Sequence, residues 1–241
     1  MAAMCVAVFL AWLAEENRRL VWLLPAGALC VGGCIAAGSF SGVIGLAVVF
    51  VTVGLVTGRV LTFAAVAVPA FAVGLAAVWP VVAARLEGFD SYQGLPHSWI
   101  GRLDNLERFF WPEVTSGINW LVGVRPAARV AAPEHWREWV YIESGHTWFL
   151  WVGGLPLLLA FLWFTWVLLR DTSPPEAGSS SSARIARRAA FAATLMIFVL
   201  TLFDPHLTVR GTADLFFPLI ALALVSVRSA PLRGPANERR R

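Results

Sequence analysis

Thr147-Trp-Phe-Leu-Trp-Val-Gly-Gly-Leu-Pro-Leu-Leu-Leu-Ala-Phe-Leu-Trp-Phe-Thr-Trp-Val-Leu-Leu169 runs without one ionisable side chain. A helix of that length covers the hydrocarbon core of a bilayer, which needs roughly 20 apolar residues. Equivalent runs recur on both sides. They occupy Leu20–Ala37, Phe40–Thr57, Val60–Val82, Arg187–Phe203 and Ala213–Val227, and each is expected to be a membrane span. The shorter run Met1–Ala14 is expected to be the tail of a helix whose beginning is missing. Pro69 and Pro218 fall inside spans, where neighbouring helices satisfy the freed carbonyls. The composition agrees with this: 58% of the 241 residues are hydrophobic and 14% are charged, about half the usual charge of a soluble domain. The expected fold class is an all-α integral membrane protein, a polytopic helix bundle with a large extracytoplasmic loop containing short amphipathic helices.

All 19 basic residues are arginine, as GC-rich, bacterial coding favours. They are dispersed between apolar runs and form no single basic face, so the net charge of +4 does not point to nucleic acid. Their distribution sets the orientation. Arg18, Arg19, Arg59, Arg170, Arg184, Arg187, Arg188, Arg228, Arg233, Arg239, Arg240 and Arg241 lie on one side, in short segments close to the spans. Arg85, Arg102, Arg108, Arg125, Arg129, Arg137 and Arg210 lie on the other. The first side is cytoplasmic by the positive-inside rule, and so is the C-terminus. The organisation expected is N-terminal spans over 1–82, an extracytoplasmic Trp/Arg-rich loop over 83–146, C-terminal spans over 147–228 with a Ser/Pro-rich linker at 171–186, and a basic tail over 229–241. Cys5, Cys30 and Cys34 sit in apolar runs as small helix residues, and no metal site is expected.

The outer loop carries whatever chemistry the chain performs. Trp99, Trp111, Trp120, Trp136 and Trp139 lie there, together with His97, His135 and His146 around its ends. Ile100, Leu103, Leu106 and Phe110 recur at intervals of three to four, predicting a short amphipathic helix on the membrane surface that ends at Pro112. A second short helix is expected from Pro133 to Ser144. The tryptophans fit an interfacial belt better than a sugar-stacking platform. The arginines fit either plain surface charge or a phosphate clamp, because guanidinium grips phosphate through a two-pronged fork. No Asp, Glu, Lys or His lies near the middle of a span. That weighs against an ion-coupled transporter, which places ionisable groups at membrane depth.

Five segments, in order, resemble the C-terminal part of bacterial O-antigen ligases and related polysaccharide polymerases. They are Ser39-Phe-Ser-Gly42, Arg108-Phe-Phe-Trp111, Leu121-Val-Gly-Val124, Glu143-Ser-Gly-His146 and Gly153-Gly-Leu-Pro-Leu157. The family's pattern has Arg where Phe40 stands and Gly where Arg125 stands. The resemblance implies transfer of glycan, without metal or cofactor, from an undecaprenyl-diphosphate carrier to an acceptor hydroxyl outside the bacterial cytoplasmic membrane. Glu143 and His146, expected on one helix face at i and i+3, are the candidate bases; Arg102, Arg108 and Arg125, with Trp111 and Trp139, are the candidate substrate-binding residues. The partners implied are the lipid-linked glycan, membrane lipid and other polysaccharide-export membrane proteins. The competing expectation is a non-catalytic membrane subunit whose outer loop binds a glycan or protein.

Overall fold

A computed structural model describes residues 1–15, 27–34, 40–77, 79–80, 83, 97–132, 138–173, 179–208 and 211–228. The chain is mostly helical. Helix α1 covers Ala2–Glu15, and a helical segment follows at 27–34. Helices α2 (Phe40–Thr57) and α3 (Val60–Ala77) form a hairpin. Its turn needs Gly58 in the left-handed region, at φ +68°, while Arg59 N–H donates back to the Gly54 carbonyl at 2.9 Å. After α4 (His97–Asn105), a π-helical turn (Leu106–Phe110), α5 (Trp111–Thr115) and α6 (Asn119–Val122) comes a two-stranded antiparallel ladder. It pairs β1 (Arg129–Ala131) with β2 (Trp139–Tyr141), Val130 lying opposite Val140. Helices α7 (Gly145–Asp171), α8 (Ser181–Leu200) and α9 (Thr212–Arg228) complete the chain, with a 3-10 turn at His206–Thr208.

By length and composition α7 is apolar enough to cross a membrane, and among the described residues it is the one helix that meets both requirements. Helix α2 matches the expected limits. The expected Leu20–Ala37 span reaches the described residues only at 27–34, and the basic tail lies outside them.

Two cores hold the chain together. The larger joins α1, α2, α8 and α9. Ala3, Ala7 and Ala11 of α1 are buried in it with Ala189, Ala190, Ala192 and Ala193 of α8. Small side chains let two helix backbones approach closely, so packing is gained without bulky interdigitation. At the end of this seam Glu15 receives Arg184 through Nε at 2.8 Å and Nη2 at 2.6 Å, and Arg188 through Nη1. Its carboxyl is consequently held below the usual carboxylate range, first by the Arg184 hydrogen bond, against the opposing effect of burial.

The outer loop departs from expectation in two places. Where a helix was expected from Pro133 to Ser144, the described part is β2 followed by extended chain, so the molecule is not purely helical. Trp139-Val-Tyr-Ile142 alternates β-branched and aromatic residues, a pattern that suits a pleated edge; residues 133–137 lie outside the description. The Ile100 helix also does not end at Pro112. It passes through the π-turn and restarts with Pro112 in its first turn, where a missing N–H costs nothing. Leu106 and Phe110 turn inward, while Leu103 stays exposed, so half of the expected membrane-facing stripe packs on protein instead.

Candidate functional site

The smaller core fixes the segment that precedes α7 onto the first two turns of that helix. Trp151, fully buried, stands at its centre among Leu106, Phe110, Val114, Val140 and Ile142. Phe110 meets its ring edge-on at 5.1 Å, and the indole N–H donates to the Ala127 carbonyl at 2.9 Å. Just beyond, α7 breaks. Gly154 takes φ +65°, ψ −163°, a combination open to glycine alone, and Pro156 has no N–H to return to the helix. The carbonyl of Trp151 accepts from the N–H groups of Val124 at 2.7 Å and Arg125 at 3.3 Å. The loop backbone then lies directly on the break. A Cβ on Gly154 would collide with the Leu121 carbonyl, and one on Gly123 would come within 2.9 Å of the Val152 carbonyl. Leu121–Val124 and Gly153–Leu157, two of the five quoted segments, are thus in backbone contact.

The charged group forms at the start of α7. Gly145 N–H donates to the Thr201 carbonyl at 2.9 Å, and its lack of a side chain lets the turn after α8 press against it. Glu143 and Asp204 flank that contact. Arg102, from α4, reaches both: its Nε is 3.5 Å from Glu143 Oε2 and its Nη1 3.3 Å from Asp204 Oδ2. All three side chains are about one-third exposed, so the cluster is open to water. His206 lies beside it, with Nε2 buried and without a hydrogen-bond partner. Burial holds its imidazole below the ordinary histidine range; Asp204 opposes that effect and Arg102 adds to it.

The expected site residues therefore divide. Arg102 and Glu143 meet. Trp111 is tethered close by, its indole N–H donating to Thr147 Oγ1 at 3.4 Å. Glu143, however, precedes the helix, because Ser144 is the N-cap of α7 and accepts from Thr147 N–H. The expected sharing of one helix face by Glu143 and His146 is therefore corrected. The ring of His146 packs edge-on between Phe161 and Phe198 at 6.1 and 6.2 Å. Arg108 forms an exposed i,i+4 pair with Asp104 at 3.8 Å. Arg125 covers the Trp151 ring at 5.3 Å, and Trp139 lies beneath Arg129 at 4.2 Å. Arg85, Arg137 and Arg210 lie outside the described residues. Sequence reasoning missed Asp204 as a partner of Arg102; the signal available was an acid in the short outer turn Asp204-Pro-His206. Among the described residues no three His, Cys, Asp or Glu converge to hold a metal ion.

No protein-family model, curated protein or solved structure matches this chain.

Proposed function

We propose that this chain is a multi-pass protein of the bacterial cytoplasmic membrane, with the Arg102 cluster outside and the C-terminus inside. In this reading it is an O-antigen ligase-like glycan polymerase or ligase that uses an undecaprenyl-diphosphate carrier. The membrane placement draws support from α7, of which 22% of the most apolar stretch is buried. A core helix of a soluble protein would be mostly covered. Leu159, Trp163 and Trp166 on α7, Leu55 on α2, Leu61 on α3 and Leu222 on α9 are also exposed, as lipid-facing side chains would be.

The observation that carries the enzymatic reading is the convergence of a cation and two carboxylates at the head of α7. In the reaction the acceptor oxygen bonds to the anomeric carbon as the carbon–oxygen bond to the diphosphate breaks. The electron pair leaves on the diphosphate, where Arg102 offsets the growing charge. The hydroxyl proton passes to Glu143. Trp111, exposed and tethered to Thr147, is placed to cover a sugar ring. Arg108 and Arg125 serve as further phosphate contacts at the rim, and Trp139 as a second aromatic surface. His146, among aromatic rings, is the weaker base candidate.

A second reading has its own support. Arg102 is already neutralised by two acids, as a purely structural tie between loop and bundle would be. This is the reading of a non-catalytic subunit that binds glycan or protein through the loop. Deleting the gene and analysing surface polysaccharide length and lipid-linked intermediates tests the enzyme: shortened polymer with accumulated lipid-linked units is expected. Complementation by Glu143→Gln at normal protein level, with full-length glycan, would instead favour the subunit.

A further inference from the structure

Ile118-Asn-Trp-Leu-Val122, at α6, belongs to the outer loop by sequence, yet it does not look like a water-exposed turn. Ile118, Trp120, Leu121 and Val122 are 67, 47, 41 and 57% exposed, four apolar side chains within five residues. The segment is seated on the Gly153–Gly154 break of α7, where the exposed apolar face of that helix begins. From Pro156 through Leu159, Leu162, Trp163 and Trp166 the same face continues downward.

Depth can be counted along α7. Arg170, its guanidinium 5.2 Å from the Trp166 ring, marks the cytoplasmic end of the apolar stretch. Gly154 lies sixteen residues before it, which at 1.5 Å per residue places the break about 24 Å higher. A hydrocarbon core is about 30 Å thick, so the break and the segment resting on it fall within the outer leaflet. Backbone there must satisfy its own donors, since lipid offers none. Six N–H groups in and just after the segment are paired within the protein: Asn119 donates to Ser116, Leu121 and Val122 to Ile118, Gly123 to Asn119, and Val124 and Arg125 to Trp151. The Asn119 side-chain amide donates to the Glu113 carbonyl at 2.8 Å.

We infer that Ile118–Val122 is a re-entrant wedge, inserted from the outside among the acyl chains of the outer leaflet beside the α7 break. The inference rests on the membrane placement proposed above. Independently of any catalysis, it assigns a lipid contact to part of the outer loop. The wedge shields the broken turn of α7 from hydrocarbon and anchors the Arg102 cluster at a fixed height above the lipid.

The test uses full-length protein with Cys5, Cys30 and Cys34 replaced by Ala, carrying single substitutions Ile118→Cys, Val122→Cys, Leu159→Cys or Gly101→Cys. Gly101 is exposed, with open space around it. Each variant is labelled with an environment-sensitive fluorophore in phosphatidylcholine vesicles containing lipids spin-labelled along the acyl chain. Labels at 118 and 122 should be quenched several-fold more than the label at 101, and more by the shallower spin label than by the deeper. Quenching at 159 with 118 and 122 behaving like 101 would overturn the wedge and leave the membrane placement standing. Absence of quenching at 159 as well would overturn both.

Discussion

The two ends of the helical bundle carry mirror-image charge clusters. At one end a carboxylate, Glu15, is held by two arginines, Arg184 and Arg188; at the other an arginine, Arg102, is held by two carboxylates, Glu143 and Asp204. The Glu15 contacts are short, and its side chain is 9% exposed. The Arg102 contacts are 3.3 and 3.5 Å, at side chains about one-third exposed. The short cluster is a fastening, because the Glu15 carboxylate is nearly buried and would lose most of its stabilisation without its arginines. A longer, wet cluster costs little to rearrange and leaves room for a ligand to replace one of its members. The same residue types thus make a lock at one end and an adjustable site at the other.

The largest expected effect breaks the connection between the segment that precedes α7 and the bundle. Gly154→Ala demands a positive φ from alanine and drives a methyl group into the Leu121 carbonyl. A cost of about 3 kcal/mol or more is expected. Limited proteolysis should then cut within 97–132 while the α1–α8 pair survives; equal protection of both regions would show that the break is not what seats the loop.

Glu15→Ala comes next, with an expected loss of about 2 kcal/mol, reduced from the value for a fully buried pair because both arginines reach solvent. Arg102→Ala should lower stability by under about 1 kcal/mol and yet abolish glycan extension. Arg102→Lys should impair extension nearly as much, since an ammonium lacks the two-pronged fork that spans both carboxylates. Melting curves in detergent, paired with glycan gels, separate the two ends. An Arg102→Ala variant that melts far below the parent, and earlier than Glu15→Ala, would reverse the comparison.

Acid should distinguish the ends again, by a smaller amount. His206 has a lowered pKa in the folded protein, so unfolded chains bind the extra proton first. Its contribution is complete above the ordinary histidine value of about 6.5 and is lost as pH falls from there through the folded value. Glu15 is also lowered, so its contribution is complete above about 4.3 and is lost only below that, as pH falls through its folded value. Melting temperature should therefore decline in two windows, with His206→Gln flattening the upper one and Glu15→Gln the lower. Smallest of all, Arg108→Ala removes an exposed i,i+4 pair and should cost no more than about 0.5 kcal/mol.

Much of the architecture was legible because apolar run length is a strong signal. Phe40–Thr57 emerged at its expected limits, and α7 and α9 differ from expectation by two residues or fewer at each end. Helix α8 begins at Ser181, well ahead of the expected Arg187, because Ser180 caps it and Arg184 and Arg188 gain Glu15 one turn apart. Its polar first turns concealed that start. The π-turn at Leu106–Phe110 and the break at Gly154 were hidden as well, since both depend on contacts made by distant chain. Within the site, Arg102 and Glu143 were singled out by residue type alone. Their pairing and the arrival of Asp204 required Gly145 to be bare enough for the turn after α8 to reach it, a spatial fact with no local signature.

The carbonyl of Trp151, which accepts from the N–H groups of Val124 and Arg125, acts as an index mark on the chain. One residue added or removed between Gly145 and Trp151 would swing that mark about 100° around the helix axis. The loop would face the wrong side of α7 while every apolar run kept its length. Variation in this chain should therefore be far less tolerant of insertion along that single stretch than hydrophobicity alone would suggest. Spacing there carries information that composition does not.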